Sequence, residues 1–151
     1  MKNVIFAVAN LIKFYIMSYK IIDVEGIGEV YAAKMTEVGI NTVEELLEAA
    51  KKPKGRAELA EKTGISQKLI LTWANHADLM RIKGVGPQFS ELLEAAGVDT
   101  VKEFARRLAE NLFAKMTEIN EKRHLVGRVP TAGELQKMID QAKQLDPAME
   151  Y

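Results

Sequence analysis

The 151-residue chain has no cysteine, which excludes a disulfide framework, thiolate chemistry and any cysteine-ligated metal site. Histidine is nearly as scarce. Neither His76 nor His124 is followed at three or four residues by a carboxylate that would complete a ligand pair on one helix face, so no metal centre is expected. A surplus of one charge is missing too. The 21 basic and 21 acidic side chains cancel, and the chain lacks the overall positive field that draws many nucleic-acid binders to their target. The longest apolar stretch, residues 4–17, is broken by Asn10 and Lys13, and about 20 apolar residues are needed to span a bilayer as a helix. No Walker-type loop or dinucleotide fingerprint occurs, and residues 26–28 do not open a GxGxxG because position 31 is Tyr31. Ser18, Ser66 and Ser90 lack the context of a nucleophile elbow. Glu44, Glu45 and Glu48 belong to the start and exposed side of a short helix, where capping and the helix dipole place acids anyway. The expectation is a protein that is not an enzyme and has no cofactor.

What is present is an apolar fraction of 48%, enough for a chain of this length to bury a core without staples; a reducing, cytoplasmic setting is the expectation consistent with the absence of cysteine. Residues 1–18 stand apart as an apolar N-terminal extension. The stretch has three readings: a packing element or extension ahead of a start at Met17, a partner-contacting surface, or a targeting segment. The third is weakened by the short apolar run ahead of Ala7-Val8-Ala9. Charge is also distributed by segment. Residues 25–50 carry one Lys and six Glu, net −5, whereas residues 51–83 carry eight Lys and Arg against three acids, net +5.

A gapless internal repeat organises the middle of the chain. At an offset of 58 residues, Glu25-Gly26-Ile27-Gly28 falls on Lys83-Gly84-Val85-Gly86, and Gly39-Ile40-Asn41-Thr42-Val43 falls on Gly97-Val98-Asp99-Thr100-Val101. Each copy carries the same local physics. A Gly-x-Gly permits a tight turn that a Cβ would obstruct and leaves backbone N–H groups at a helix start. The spacing predicts helices over about 30–37 and 88–96, each ended by a left-handed glycine, Gly39 or Gly97. Thr42 with Glu45, and Thr100 with Glu103, then fit capping boxes that open helices over about 43–50 and 101–108. Between the copies, 56–62 and 67–76 read as helices, the second capped by Ser66 and carrying Leu69, Ile70 and Trp73 on one face. Trp73 reads as core rather than as a base-stacking platform. Residues 111–124 are helical in pattern, and a last helix follows Thr131 with Leu135, Met138, Ile139 and Ala142 on one face. No strand is expected.

Two copies of such a glycine turn, each followed by a helix, a second glycine and a capped helix, resemble tandem helix-hairpin-helix units. The closest resemblance is to a family of small bacterial proteins known as a domain of unknown function, in which a helix joins two such units. Residues 78–86 and 92–101, with Trp73-Ala74-Asn75-His76-Ala77 upstream, carry the likeness, which spans residues 19–145. It implies an all-α fold with two pseudo-symmetric hairpins over residues 19–110, a connecting helix, and C-terminal helices over 111–151 packed on the same domain. In the wider helix-hairpin-helix class the glycine turn holds a DNA backbone phosphate without reading sequence.

Two readings of function follow. In the first, the chain binds DNA backbone, mainly through Arg81, Lys83, Gly84, Val85 and Gly86 of the second hairpin. The turn glycines Gly26 and Gly28 and the basic linker residues Lys51, Lys52, Lys54 and Arg56 join them. The local charge is uneven in support: Pro87-Gln88-Phe89 stands where DNA-binding members commonly place a cation, and Glu25 and Glu29 flank the first turn. Each carboxylate beside a phosphate costs about 1 kcal/mol at surface dielectric. In the second reading the acidic first hairpin and the apolar N-terminus meet a protein partner or another copy of the chain. Arg106-Arg107 reads first as complement to a helix dipole and second as a phosphate contact.

Overall fold

The offset of 58 residues recurs in the backbone. The computed structural model describes residues 19–151, and the apolar extension at 1–18 lies outside the described residues. Ile27 N–H donates to Val24 O at 3.0 Å and Val85 N–H to Ile82 O at 3.0 Å, closing the same turn twice. Gly26 and Gly84 occupy the left-handed region at φ 90° and 93°, and Gly39 and Gly97 do so at 85° and 91°. A side chain is strained at all four. Equivalent apolar positions are buried in both copies: Val24 and Ile82, Ile27 and Val85, Met35 and Leu93, Leu46 and Phe104.

Among the described residues the architecture is all-α, with eight α-helices, one 3-10 turn at Ile21–Asp23, and an isolated β-bridge between Lys20 and Thr42 in place of any strand. In the first copy α1 is Glu29–Glu37 and α2 is Val43–Ala50. The connector is α3, Pro53–Thr63, and α4, Gln67–Leu79. The second copy supplies α5, Pro87–Ala95, and α6, Val101–Phe104, followed by α7, Ala109–Arg123, and α8, Ala132–Gln144. The starts follow their caps. The hydroxyls of Thr42, Ser66, Thr100 and Thr131 each accept an N–H from the third helical residue, a bond that stabilises a helix by about 1 kcal/mol. The reciprocal bond from Glu to the cap N–H forms at Thr131. At Thr42 the Glu45 carboxylate takes the hydroxyl instead, and at Thr100 Glu103 reaches back to Asp99 N–H.

Several ends depart from the sequence reading. Pro53 opens α3 three residues earlier than the pattern suggested, because a proline at the first helical position gives up an N–H that had no acceptor. Gly55 is required there: a Cβ would lie 2.1 Å from the carbonyl oxygen of Ala49, so α3 starts in backbone contact with the end of α2. Helix α4 continues to Leu79 rather than stopping near His76. Helix α6, expected to reach residue 108, stops at Phe104, and the chain turns through 105–107 with Leu108 extended at φ −91°, ψ 125°. Leu108 completed an apolar pattern with Val101 and Phe104, yet it is 69% exposed, and the break is what brings Ala109, Leu112 and Met116 onto the core.

Helix α4 is the hub. It packs on α2, α3 and α5, and Trp73 at its centre is 1% exposed, with Tyr31 of α1 tilted against it at 5.1 Å between ring centroids. The reading of Trp73 as core holds. Helix α7 packs on α5, and α8 packs on α6 and α7. The chain after α8 returns across the connector: Glu150 N–H donates to Lys51 O at 2.8 Å, and the Tyr151 hydroxyl donates to Asn75 Oδ1 at 3.0 Å.

Candidate anion-binding turns

The two glycine turns present different surroundings. At the second, α8 lies over the loop. Lys83 N–H donates to Gln141 Oε1 at 3.1 Å, and a Cβ on Gly84 would come within 3.1 Å of Met138 Cε. Arg81 turns inward: its Nη1 donates to Asp78 Oδ1 at 2.8 Å and its Nη2 to Asp146 O at 2.8 Å. Asp78 is 1% exposed, and its other oxygen accepts Val101 N–H at 2.8 Å, so one carboxylate joins α4, the Arg81 guanidinium and the start of α6. A buried charge is tolerable when paired and hydrogen-bonded in this way.

What remains open at this turn is its far side. Gly86 is the N-cap of α5 and offers no side-chain bond, and Pro87 has no N–H. The first-turn amides of α5 therefore lack intrahelical acceptors. They border a groove of about 550 Å³ whose lining includes Gly86, Pro87, Gln88 and Phe89, together with Tyr19, Asp23 and Glu25 from the first copy. The two carboxyl side chains of Asp23 and Glu25 oppose an anion there, although the helix terminus favours one.

The first turn packs inward instead of being covered. A Cβ on Gly26 would meet Trp73 Nε1 at 3.4 Å, whereas one on Gly28 would meet nothing within 4 Å. Glu29 stands in the first turn of α1 next to Val30, which is 69% exposed, and Ile22 of the preceding 3-10 turn is 43% exposed. Glu44, expected on the exposed side of α2, is buried, with Oε1 lacking a partner; burial raises its carboxyl above the usual range.

The basic linker divides in the same fashion. Lys52 and Lys54 are exposed and form no ion pair among the described residues, while Lys51 pairs with Glu48 at 3.0 Å. Arg56 is structural: it is 6% exposed, donates to Ala50 O and Glu150 O at 2.9 and 2.8 Å, and lies over the Tyr151 ring. Of the six cations of the second turn and the basic linker, Lys52, Lys54 and Lys83 thus keep exposed head groups without a counter-charge among the described residues.

Sequence reasoning missed a polar cluster at the end of α4. His76 is buried and pairs through Nε2 with Glu94 of α5, 18 residues away, while its Nδ1 has no partner. Burial, then Glu103 and Glu94, push the Asp99 carboxyl upward against the pull of His76 and Arg107. Tyr151 as a whole is 70% exposed, but desolvation of its hydroxyl end, which is bonded to Asn75, and then the charges of Glu103, Asp78 and Asp99 push that hydroxyl up to about 12. No local spacing announces the His76–Glu94 pair, which joins separate helices, or the bond that brings Tyr151 to Asn75 from 76 residues away. Among the described residues no group of three His, Asp or Glu is placed to hold a metal, and no helix is long and apolar enough to cross a membrane.

The all-α architecture and the repeated turn meet a family here. The model for a domain of unknown function, DUF4332, matches residues 25–145, and the chain belongs to that family. No curated protein and no solved structure matches it.

Proposed function

We propose that the chain is a non-catalytic binding module built from two helix-hairpin-helix units, and that it holds nucleic-acid backbone non-specifically through the second unit. The observation that carries this reading is the uncapped start of α5 opening onto a groove, with Lys83 exposed in the turn that precedes it. Helix-start amides are suited to phosphate oxygens and carry no sequence information, and Lys83, which does not line the groove, adds positive charge from the turn ahead of them. The contact residues are Lys83, Gly86 and the first turn of α5, with Lys52 and Lys54 as further contacts; Arg81 and Arg56 serve the fold. With Asp23 and Glu25 on the groove, binding should be weak and steeply salt-dependent.

Fluorescence anisotropy of a labelled DNA duplex, titrated at low and moderate salt, tests this. Lys83→Glu is expected to weaken binding roughly tenfold, about 1.4 kcal/mol. An absence of binding by the wild type at low salt would sink the nucleic-acid reading.

A protein partner or a second copy is the other reading, favoured by exposed Ile22 and Val30 on the acidic first unit. Contact through those side chains would be insensitive to salt and lost in Ile22→Ser/Val30→Ser. Light scattering across a concentration series would detect self-association.

A further inference from the structure

Where α6 stops and α7 begins, the chain builds a second cationic site that the glycine turns do not include. Arg106 N–H and Arg107 N–H donate to Glu103 O and Phe104 O, so the two arginines sit in a tight turn directly ahead of α7. With Lys115 and Asn111 they line a cleft of about 420 Å³, and no carboxyl side chain lines it. Asn111 and Lys115 lie four residues apart, on one face of α7. Arg107 spends one nitrogen on Gly97 O, while Arg106 and Lys115 form no ion pair among the described residues. Arg107 also acts on the Asp99 carboxyl outside the cleft, but with no carboxyl in the lining the three cations together favour an anion in the concavity.

The backbone adds to the same effect. Helix α7 is 15 residues long and its N-cap, Leu108, offers no side-chain bond, so the amides at its start lack intrahelical acceptors beside the arginines. Arginine forks match phosphate oxygens in geometry as well as charge. This is the contrast with the groove at α5, where two carboxyl side chains share the lining. Glu110, in the first turn of α7, is exposed and does not line the cleft.

The geometry points to this cleft as a phosphate-binding site, formed by Arg106, Arg107 and Lys115 with the start of α7, that takes a backbone phosphate of nucleic acid. It depends on the proposed nucleic-acid reading for the source of the phosphate and not for the site itself. The test uses the full chain and the double variant Arg106→Glu/Lys115→Glu, which leaves Arg107 on Gly97 and alters exposed side chains whose replacement should leave the thermal melt unchanged. In duplex anisotropy at low salt the double variant should bind at least tenfold more weakly than wild type, with a salt slope flatter by about two. In parallel, inorganic phosphate titrated into labelled protein should shift the amide resonances of residues 109–111 in the wild type and not in the variant.

Duplex binding by wild type with undiminished binding by the variant would overturn the cleft and leave Lys83 as the contact. No duplex binding, with phosphate shifts that the variant abolishes, would overturn the nucleic-acid reading and uphold the cleft as a site for a small phosphorylated molecule. Absence of both would overturn the two together.

Discussion

At residues 24–28 the glycine turn leans inward on Trp73, with acids flanking it and Ile22 and Val30 in solvent. At residues 82–86 an almost superposable hydrogen-bond pattern is roofed by Met138 and Gln141, and its arginine is tied to Asp78. The repeat therefore specifies a scaffold, and the side chains and the later helices decide what each copy of it can touch. A glycine turn alone is an incomplete description of a binding site. Its neighbours settle whether its amides face solvent, a carboxylate or another helix.

The sharpest way to break the comparison is at a buried position where the two copies solve the same problem differently. Val43 N–H is satisfied by Tyr19 O in the first copy, whereas its equivalent, Val101 N–H, takes the Asp78 carboxylate in the second. Asp78→Ala would leave that amide without an acceptor and Arg81 with Asp146 O but no carboxylate, in a buried setting, at a cost of roughly 3–5 kcal/mol. Lys20→Ala, at the position equivalent to Asp78, is exposed and should stay within about 0.5 kcal/mol. Urea unfolding of both variants measures the difference, and equal losses would mean that the second copy does not depend on its buried carboxylate.

A smaller effect separates the roofs. Gly26→Ala and Gly84→Ala each force a Cβ into a left-handed conformation, at about 1–3 kcal/mol. The added methyl meets an ordinary contact with Trp73 at the first turn but crowds Met138 Cε at the second. In a Met138→Ala background the Gly84 substitution should cost less than it does alone, while the Gly26 substitution should cost the same. Two double-mutant cycles that share Met138→Ala, five variants in all beside the wild type, read this coupling, and additive values at both turns would show that Met138 bears no load on Gly84.

The balance between what was legible and what was hidden follows the range of each interaction. The repeat, the left-handed glycines, the threonine caps and the burial of Trp73 depend on neighbours within a few residues or on simple periodicity, and the sequence displays both. The fate of the cations is settled only in part by near neighbours, Glu48 for Lys51 and Asp78 for Arg81, and otherwise at long range. Arg81 is claimed by Asp146, 65 residues on, and Arg56 by Glu150, 94 residues on, while Gln141 reaches Lys83 across 58. None of these partners stands at a spacing that marks it. Helix α6 misled for a local reason, since Leu108 extended an apolar pattern into what is a turn, and that same turn brings Arg106 and Arg107 beside α7.

The smallest expected effect concerns how firmly α8 holds its place over the second turn. The Glu134 carboxyl at its start is held well below the ordinary range, at about 2, first by its hydrogen bonds from Arg128 and then by Thr131 N–H. A carboxyl lowered on folding contributes stability above its unfolded value, near 4.5, and that contribution fades as pH falls from there toward 2. Acidification through this window should loosen α8 locally. The Lys83 amide, bonded to Gln141 of α8, should then lose hydrogen-exchange protection before the Ile27 amide of the first turn, which is closed by its own loop. In Glu134→Gln the Lys83 amide should already exchange faster at neutral pH and change little on acidification through the same window. If the two amides lose protection together in the wild type, the roof and the turn beneath it open as one unit with the rest of the fold, and the two copies differ in surface alone.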